Sequence, residues 1–121
     1  MVKLNDEIKA LFRQQLAMIA TAGKDGTPNV VPKGSMYVAD DETLVYSEGR
    51  CQKTLKNIQE NPTVSVLVVD REKSNGYQIK GTIELLTSGD LFTDVSQRQI
   101  ARNKPQPKYV GKIKVDEIFS V

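Results

Sequence analysis

The sequence predicts an α+β protein in which six mainly antiparallel strands form a small barrel and three helices plug or flank it. Three observations carry this expectation. Apolar runs of strand length follow one another with turn residues between them. Three other stretches repeat their apolar residues at helical spacing. The chain has 121 residues, enough for a single domain, 1–121, with one modest core. The order of elements alone does not distinguish this barrel from other α+β folds.

The elements follow in order. Asn5 is placed to cap a helix whose first turn, Asp6-Glu7, suits the positive end of the helix dipole. Ile8, Leu11 and Phe12 give that helix one apolar face. Residues 16–21 (LAMIAT) read as a strand, and Gly23-Lys24-Asp25-Gly26 as a turn. The next strand, 29–38, contains Pro32, which removes a ladder donor, and Gly34, which removes a side chain. A bulge or a sheet edge is expected there. Asp40-Asp41 turns the chain into the strand 43–47.

A helix over 51–60 turns Leu55 and Ile58 inward and stops at Asn61-Pro62. Residues 64–69 (VSVLVV) form the most apolar strand, expected at the centre of the sheet. Ser74-Asn75-Gly76 closes a hairpin into the long strand 77–87. Gly89-Asp90 opens a third helix with Leu91, Phe92, Val95 and Ile100 inward and Arg98, Arg102 and Lys104 toward its end. Pro105-Gln106-Pro107 is an extended connector to the last strand, 109–115.

Composition narrows the chemistry by exclusion. A net charge of +2 is too small to indicate nucleic acid, which requires a concentrated basic face. No apolar run approaches the roughly 20 residues of a membrane helix, and the N-terminus lacks a signal-peptide core. One cysteine permits no intrachain disulfide, in keeping with a cytoplasmic location. The absence of histidine removes His-based triads and most zinc or iron sites. No metal is expected. Chemistry must therefore come from a cofactor, or from Lys, Asp, Glu, Tyr and backbone groups.

The richest stretch is residues 28–57. It reads P-N-V-V-P-K-G-S-M-Y, then, after a turn, T-L-V-Y-S-E-G-R-C-Q-K-T-L-K-N. A strand with a Pro-Lys-Gly-Ser step leads to a second strand, which feeds the basic, hydroxyl-bearing start of a helix. That pattern suits a flat ring lying against a strand while a phosphate meets the helix N-terminus. Lys53 supplies a charge there and Thr54 a hydroxyl, among free N–H groups that favour a dianion. Arg50, just upstream, adds a second charge.

Plainer readings stand beside these. Lys53-Thr54 also suits a solvated helix start, and Pro32-Lys33 an edge protected against aggregation. Gln78 shares a strand face with Lys80, turned either to a ligand or partner chain or to solvent. Cys51 suits a small filler as well as a reactive thiol. Arg98, Arg102, Lys104 and Lys108 suit a solvated helix end as well as an attractor for an anionic substrate.

Over about residues 16–115 the chain resembles the FMN-binding split-barrel family, the pyridoxamine 5′-phosphate oxidase-like proteins. The words that carry the resemblance are G-x-P-N-V-V-P-K-G-S, D-D-E-T-L-V-Y-S, K-T-L-K-N-I-Q-E-N-P, V-S-V-L-V-V-D and G-Y-Q-I-K-G-T-I-E-L, in that order. The resemblance implies a six-stranded split β-barrel and a homodimer with FMN at the subunit interface. By position, Val31, Pro32, Lys33, Gly34 and Ser35 lie along the isoalloxazine ring, Tyr46 and Ser47 line the adjoining strand, and Lys53 and Thr54 hold the phosphate. The chain is shorter than the pyridoxamine phosphate oxidases and lacks the C-terminal segment carrying their substrate-contacting arginine and histidine. It is therefore not expected to be a true pyridoxine phosphate oxidase.

The function so implied is an FMN-dependent oxidoreductase, with the flavin as the redox group. Electrons or hydride would pass between a small donor such as NAD(P)H and an acceptor the sequence does not name. The alternative is a non-catalytic flavin-binding or electron-transfer protein with a redox-protein partner. A deazaflavin is a further candidate ligand; haem suits the chain poorly, since no histidine can ligate it.

Overall fold

The computed structural model describes residues 2–49 and 51–121. The elements are α1 (Asp6–Gln14), β1 (Ala17–Ala22), β2 (Pro28–Lys33), β3 (Tyr37–Asp40), β4 (Thr43–Glu48), α2 (Gln52–Glu60), β5 (Thr63–Asp70), β6 (Asn75–Leu86), α3 (Asp90–Ala101) and β7 (Tyr109–Ser120). All strands join one antiparallel sheet of order β2-β1-β5-β6-β7-β4-β3.

This corrects the expected six-stranded split barrel: the described residues form seven strands in one sheet that is not closed. The run 29–38 is two strands, not one. Pro32 stays within edge strand β2 opposite Met18, the break falls at Gly34-Ser35, and a turn with Met36 N–H donating to the Lys33 carbonyl separates β2 from β3. β2 then pairs with β1 at one edge and β3 with β4 at the other, with no ladder between them. Only three residues join these opposite edges, a reach of about 14 Å at most. Six flat inter-strand steps would separate them by about 29 Å. The sheet is therefore strongly rolled, its two edges brought near each other at this turn yet left unpaired.

Burial follows from the roll. β4 is buried on both faces. Leu44 and Tyr46 enter the main core with Ile8, Ile19, Val66, Ile79 and Ile113. Val45 points the other way, into a smaller core with Val95 and Val110 under α3. Asn5 caps α1 as expected, its Oδ1 accepting from Ile8 N–H at 2.9 Å. β5 is interior but third in order, and β6 is the middle strand. The outer residues of β5, Leu67 and Val69, are 40% and 39% exposed, so the most apolar run covers the core with one face only.

One further boundary and one inward-facing residue differ from the sequence reading. β7 continues past Val115 to Ser120, because Asp116 is the extra residue of a bulge between the pairs Lys80↔Glu117 and Gly81↔Val115. At Gly81 a Cβ would meet the Lys114 carbonyl oxygen at 2.4 Å, so glycine is what lets β6 and β7 approach beside that bulge. Ile100 is 59% exposed. It lies about 140° around α3 from buried Val95 at 3.6 residues per turn.

Candidate functional site

The β2–β3 turn, the end of β4 and the connector after α3 enclose a cleft of about 550 Å³. Val31, Pro32, Lys33, Gly34 and Ser35 form one wall and Ser47, Gly49 and Cys51 another. The third runs from Gln99 through Arg102 and Lys104 to Lys108, with Pro105 and Pro107 stiffening it. Arg102 reaches across to the Gly34 carbonyl at 3.5 Å, the outer limit of a hydrogen bond. The Ser35 hydroxyl ties the walls together by accepting from Ser47 N–H at 2.9 Å. A Cβ on Gly34 would meet only Leu16 Cδ1, at 3.8 Å. The protein's own packing therefore does not require a glycine there. A larger cleft, about 720 Å³, lies by the β3–β4 turn among Lys3, Asp40, Asp41, Glu42, Glu84, Lys112 and Lys114. Its charges are mixed and it holds none of the residues expected to bind the cofactor.

Beneath the first wall is a buried polar group. Tyr46 and Glu48 are fully buried, and both alternate onto the inner face of β4. Glu48 Oε2 accepts from Lys33 Nζ and from Gly49 N–H, each at 3.2 Å. Its Oε1 accepts from the Tyr46 hydroxyl at 3.1 Å. The Lys33 ammonium also lies 5.3 Å from the centre of the Tyr46 ring. Burial first, and then the adjacent carboxylate, push the Tyr46 phenol far above its usual range. Tyr46 thus supports the cleft from below. Lys33 is ion-paired, not a lone charge.

The start of α2 is built differently from its reading as a simple donor site. Lys53 is exposed in the first turn. Thr54 is completely buried, its hydroxyl donating to Cys51 Sγ and accepting from Asn29 Nδ2, both at 3.1 Å. One turn on, Asn57 Nδ2 donates to the Thr21 hydroxyl at 3.1 Å. The face of α2 against β1 and β2 is thus a polar seam beside Ile58, with Leu55 only half-buried. Cys51 sits at the N-cap of α2 without a side-chain capping bond to the helix N–H groups, and no acidic residue occupies the first turn. Among the described residues, the first turn of α2 therefore supplies no anion of its own to the helix N-terminus. The Thr54 hydroxyl bond, above all, pulls the Cys51 thiol below its ordinary range.

The structure brings Val31, Pro32, Lys33, Gly34, Ser35 and Ser47 together in one cleft and puts Tyr46 beneath it. Lys53 and Thr54 lie at the start of α2, next to Cys51 of the cleft wall. Arg50 lies outside the described residues. Gln78 is away from the cleft, on the outer sheet face, donating to the Ser65 hydroxyl at 2.9 Å. Of the basic cluster, Arg102, Lys104 and Lys108 line the cleft. Arg98 instead stacks 3.8 Å from the Tyr37 ring centre and pairs with Asp94. The sequence reading missed Glu48, Asn29 and Asn57. For Glu48 a signal existed, since two residues beyond Tyr46 it shares that residue's strand face.

Among the described residues no group of three or more His, Cys, Asp or Glu can hold a metal ion. No described helix is long and apolar enough to cross a membrane.

Fold and cleft together define a small α+β protein with a cationic cleft at the meeting of its sheet edges. The family described as pyridoxamine 5′-phosphate oxidase matches residues 4–121, and the chain belongs to that family. It is 35% identical over 124 residues to an uncharacterised protein of Methanocaldococcus jannaschii, covering 99% of this chain and 82% of the relative. It is 38% identical to HupZ of Group A Streptococcus, whose crystal structure superposes with a TM-score of 0.91 over 98% of this chain and 94% of that one. A more distant likeness, in fold alone, is to an FMN-binding protein of Syntrophomonas wolfei. That structure is 20% identical, with a TM-score of 0.81 over 93% of this chain and 82% of the other.

Proposed function

We propose that this protein binds FMN in the 31–35 cleft and serves as a flavin-binding or electron-transfer protein. The observation that carries the reading is charge. Among the described residues the cleft lining contains Lys33, Arg102, Lys104 and Lys108 and no carboxylate, and it abuts a helix whose first turn has no acidic residue. Such a donor set suits a phosphate-bearing ligand, and the cleft volume falls in the range of cofactor pockets. Gly34, which the protein's own packing does not demand, allows close approach of a flat ring. Family membership and the FMN-binding fold relative support flavin binding as the general property. When bound, FMN would supply the redox chemistry, and the chain's residues would hold and orient it.

Titrating flavin-free protein with FMN and riboflavin tests this. FMN should bind much more tightly than riboflavin, which lacks the phosphate. Lys53→Ala removes a charge-assisted contact and should weaken FMN about tenfold to a hundredfold. Thr54→Ala should weaken it too, largely through the lost anchoring of the α2 start by Asn29. Unchanged FMN affinity in both variants would remove the phosphate from this helix.

A homodimer belongs to the same proposal. On the outer face of the sheet, registered pairs align Pro32, Met18, Leu67, Gln78 and Phe119 across five strands. Val30, Leu67, Val69 and Phe119 are 66%, 40%, 39% and 40% exposed on that face. A largely apolar row of this kind, interrupted by Gln78, suits a protein partner. The row begins at Pro32 of the cleft wall, so a second copy seated there would cover the cleft's edge and bring its own residues near it.

One observation favours a second reading, an oxidoreductase with an anionic donor. Arg102, Lys104 and Lys108 have no salt-bridge partner among the described residues and face the Lys33 wall. A nicotinamide dinucleotide would place its phosphates there. Steady-state assays should then show NAD(P)H oxidation whose KM rises several-fold in Arg102→Gln and with salt. No turnover above free FMN leaves the carrier role.

A further inference from the structure

The cleft reading leaves one charged group without a role: Glu48. It is fully buried, yet its carboxylate is held by Lys33, Gly49 N–H and the Tyr46 hydroxyl. The Lys33 side chain is only 10% exposed and lies on the cleft wall, so the pair runs from the interior to the cleft surface. A buried ion pair of this kind is a poor way to stabilise a fold. Well-packed apolar residues of similar volume generally do as well or better, whereas breaking the pair from one side is costly. What the apolar replacement cannot supply is a charge held at a fixed place. Lys33 has several rotatable bonds, and without Glu48 its ammonium would be free to swing toward water.

We propose that Glu48 is a positioning residue for the flavin: it pins the Lys33 ammonium at the cleft wall and offsets its charge, thereby setting the flavin's reduction potential. This inference rests on the flavin reading of the cleft. Reduction adds two electrons and one proton to the neutral oxidised ring and leaves a monoanion. A cation beside the ring favours the reduced form, and a carboxylate opposes it. With both charges present, Lys33 and Glu48 nearly cancel. Arg102, Lys104 and Lys108 across the cleft contribute the same background in every variant.

The test is a spectroelectrochemical titration of FMN-loaded protein, with an electrode and mediators supplying the electrons. Glu48→Gln keeps the shape and a neutral amide oxygen to hold the Lys33 ammonium in place, while leaving its charge unopposed. It should favour reduced over oxidised FMN by about tenfold, a rise of about 30 mV for a two-electron couple. Lys33→Met leaves the carboxylate unopposed and should shift the potential about equally downward. The double variant Lys33→Met/Glu48→Gln should return to within about threefold of the original ratio. A purely structural pair would alter melting temperature while leaving the potential in place. Glu48→Gln and Lys33→Met both unshifted, or shifted in the same direction, overturns the proposal. If Glu48→Gln does not fold, Lys33→Met and the double variant decide: a fall in the first that the second fails to reverse also overturns it. Failure of the unaltered protein to bind FMN sinks the flavin reading and this inference with it. Binding with flat potentials sinks the role of Glu48 alone.

Discussion

Tyr46→Ala should destabilise the fold by about 3–5 kcal/mol, the range for losing a large buried aromatic. For a domain of this size that corresponds to a fall of about 10–20 °C in Tm. The ring is completely buried in the main core, and Gly111 of β7 is pressed against it. A Cβ at 111 would meet Tyr46 Cε1 at 2.4 Å, so β7 has been shaped to that ring and has no side chain there to refill the space. Truncation also removes the hydroxyl from Glu48 and the aromatic face near the Lys33 ammonium. Tyr46→Phe separates the two contributions. It keeps the ring and costs only about 1 kcal/mol, because Glu48 retains the donors on Lys33 and Gly49. Differential scanning calorimetry of the two variants decides the matter. A Tyr46→Ala protein melting within a few degrees of the original would mean that β4 and β7 collapse onto the gap.

Local signals were readable in the sequence, and non-local ones were not. Asn5 and the 23–26 turn act through neighbouring residues, and each proved to be where its chemistry put it, whereas the β5–β6 hairpin turns at 71–74, with Asn75 and Gly76 already paired in β6. The motif 31–35 likewise kept its residues in one cleft with Ser47. The break at Gly34-Ser35 was visible only as an irregularity. That it sends the chain to the opposite sheet edge depends on β1 and β4, which no local pattern encodes. Thr54 and Asn57 look like the solvated face of α2. They are buried because Asn29 and Thr21, on strands 25 and 36 residues away, satisfy their side chains. Glu48 reads as a polar strand exit, and its burial needs Lys33, fifteen residues upstream. Asp116-Glu117 reads as the end of the last strand, and only pairing with β6 turns it into a bulge.

Leu67→Glu should convert the proposed dimer to monomer and lower FMN affinity by more than tenfold. Leu67 occupies the middle of the apolar row, registered with Met18 on β1 and Gln78 on β6. In the single chain it is 40% exposed, so the substitution should change intrinsic stability by no more than about 1 kcal/mol. In a two-fold dimer each copy presents the same face, and every substitution appears twice. Two carboxylates would then be taken out of water and placed on facing surfaces, at a cost of several kcal/mol per ion without partners. Lys80, on the same face, would partly neutralise a carboxylate there, and Leu67→Lys removes that escape. Either sign of charge should therefore dissociate the pair. Sedimentation velocity reads the mass, and flavin fluorescence on the same samples reads the binding. A dimer that persists in both variants would place the contact on another face. Monomers that retain full FMN affinity would show that each chain completes its own flavin site, independent of the outer sheet face.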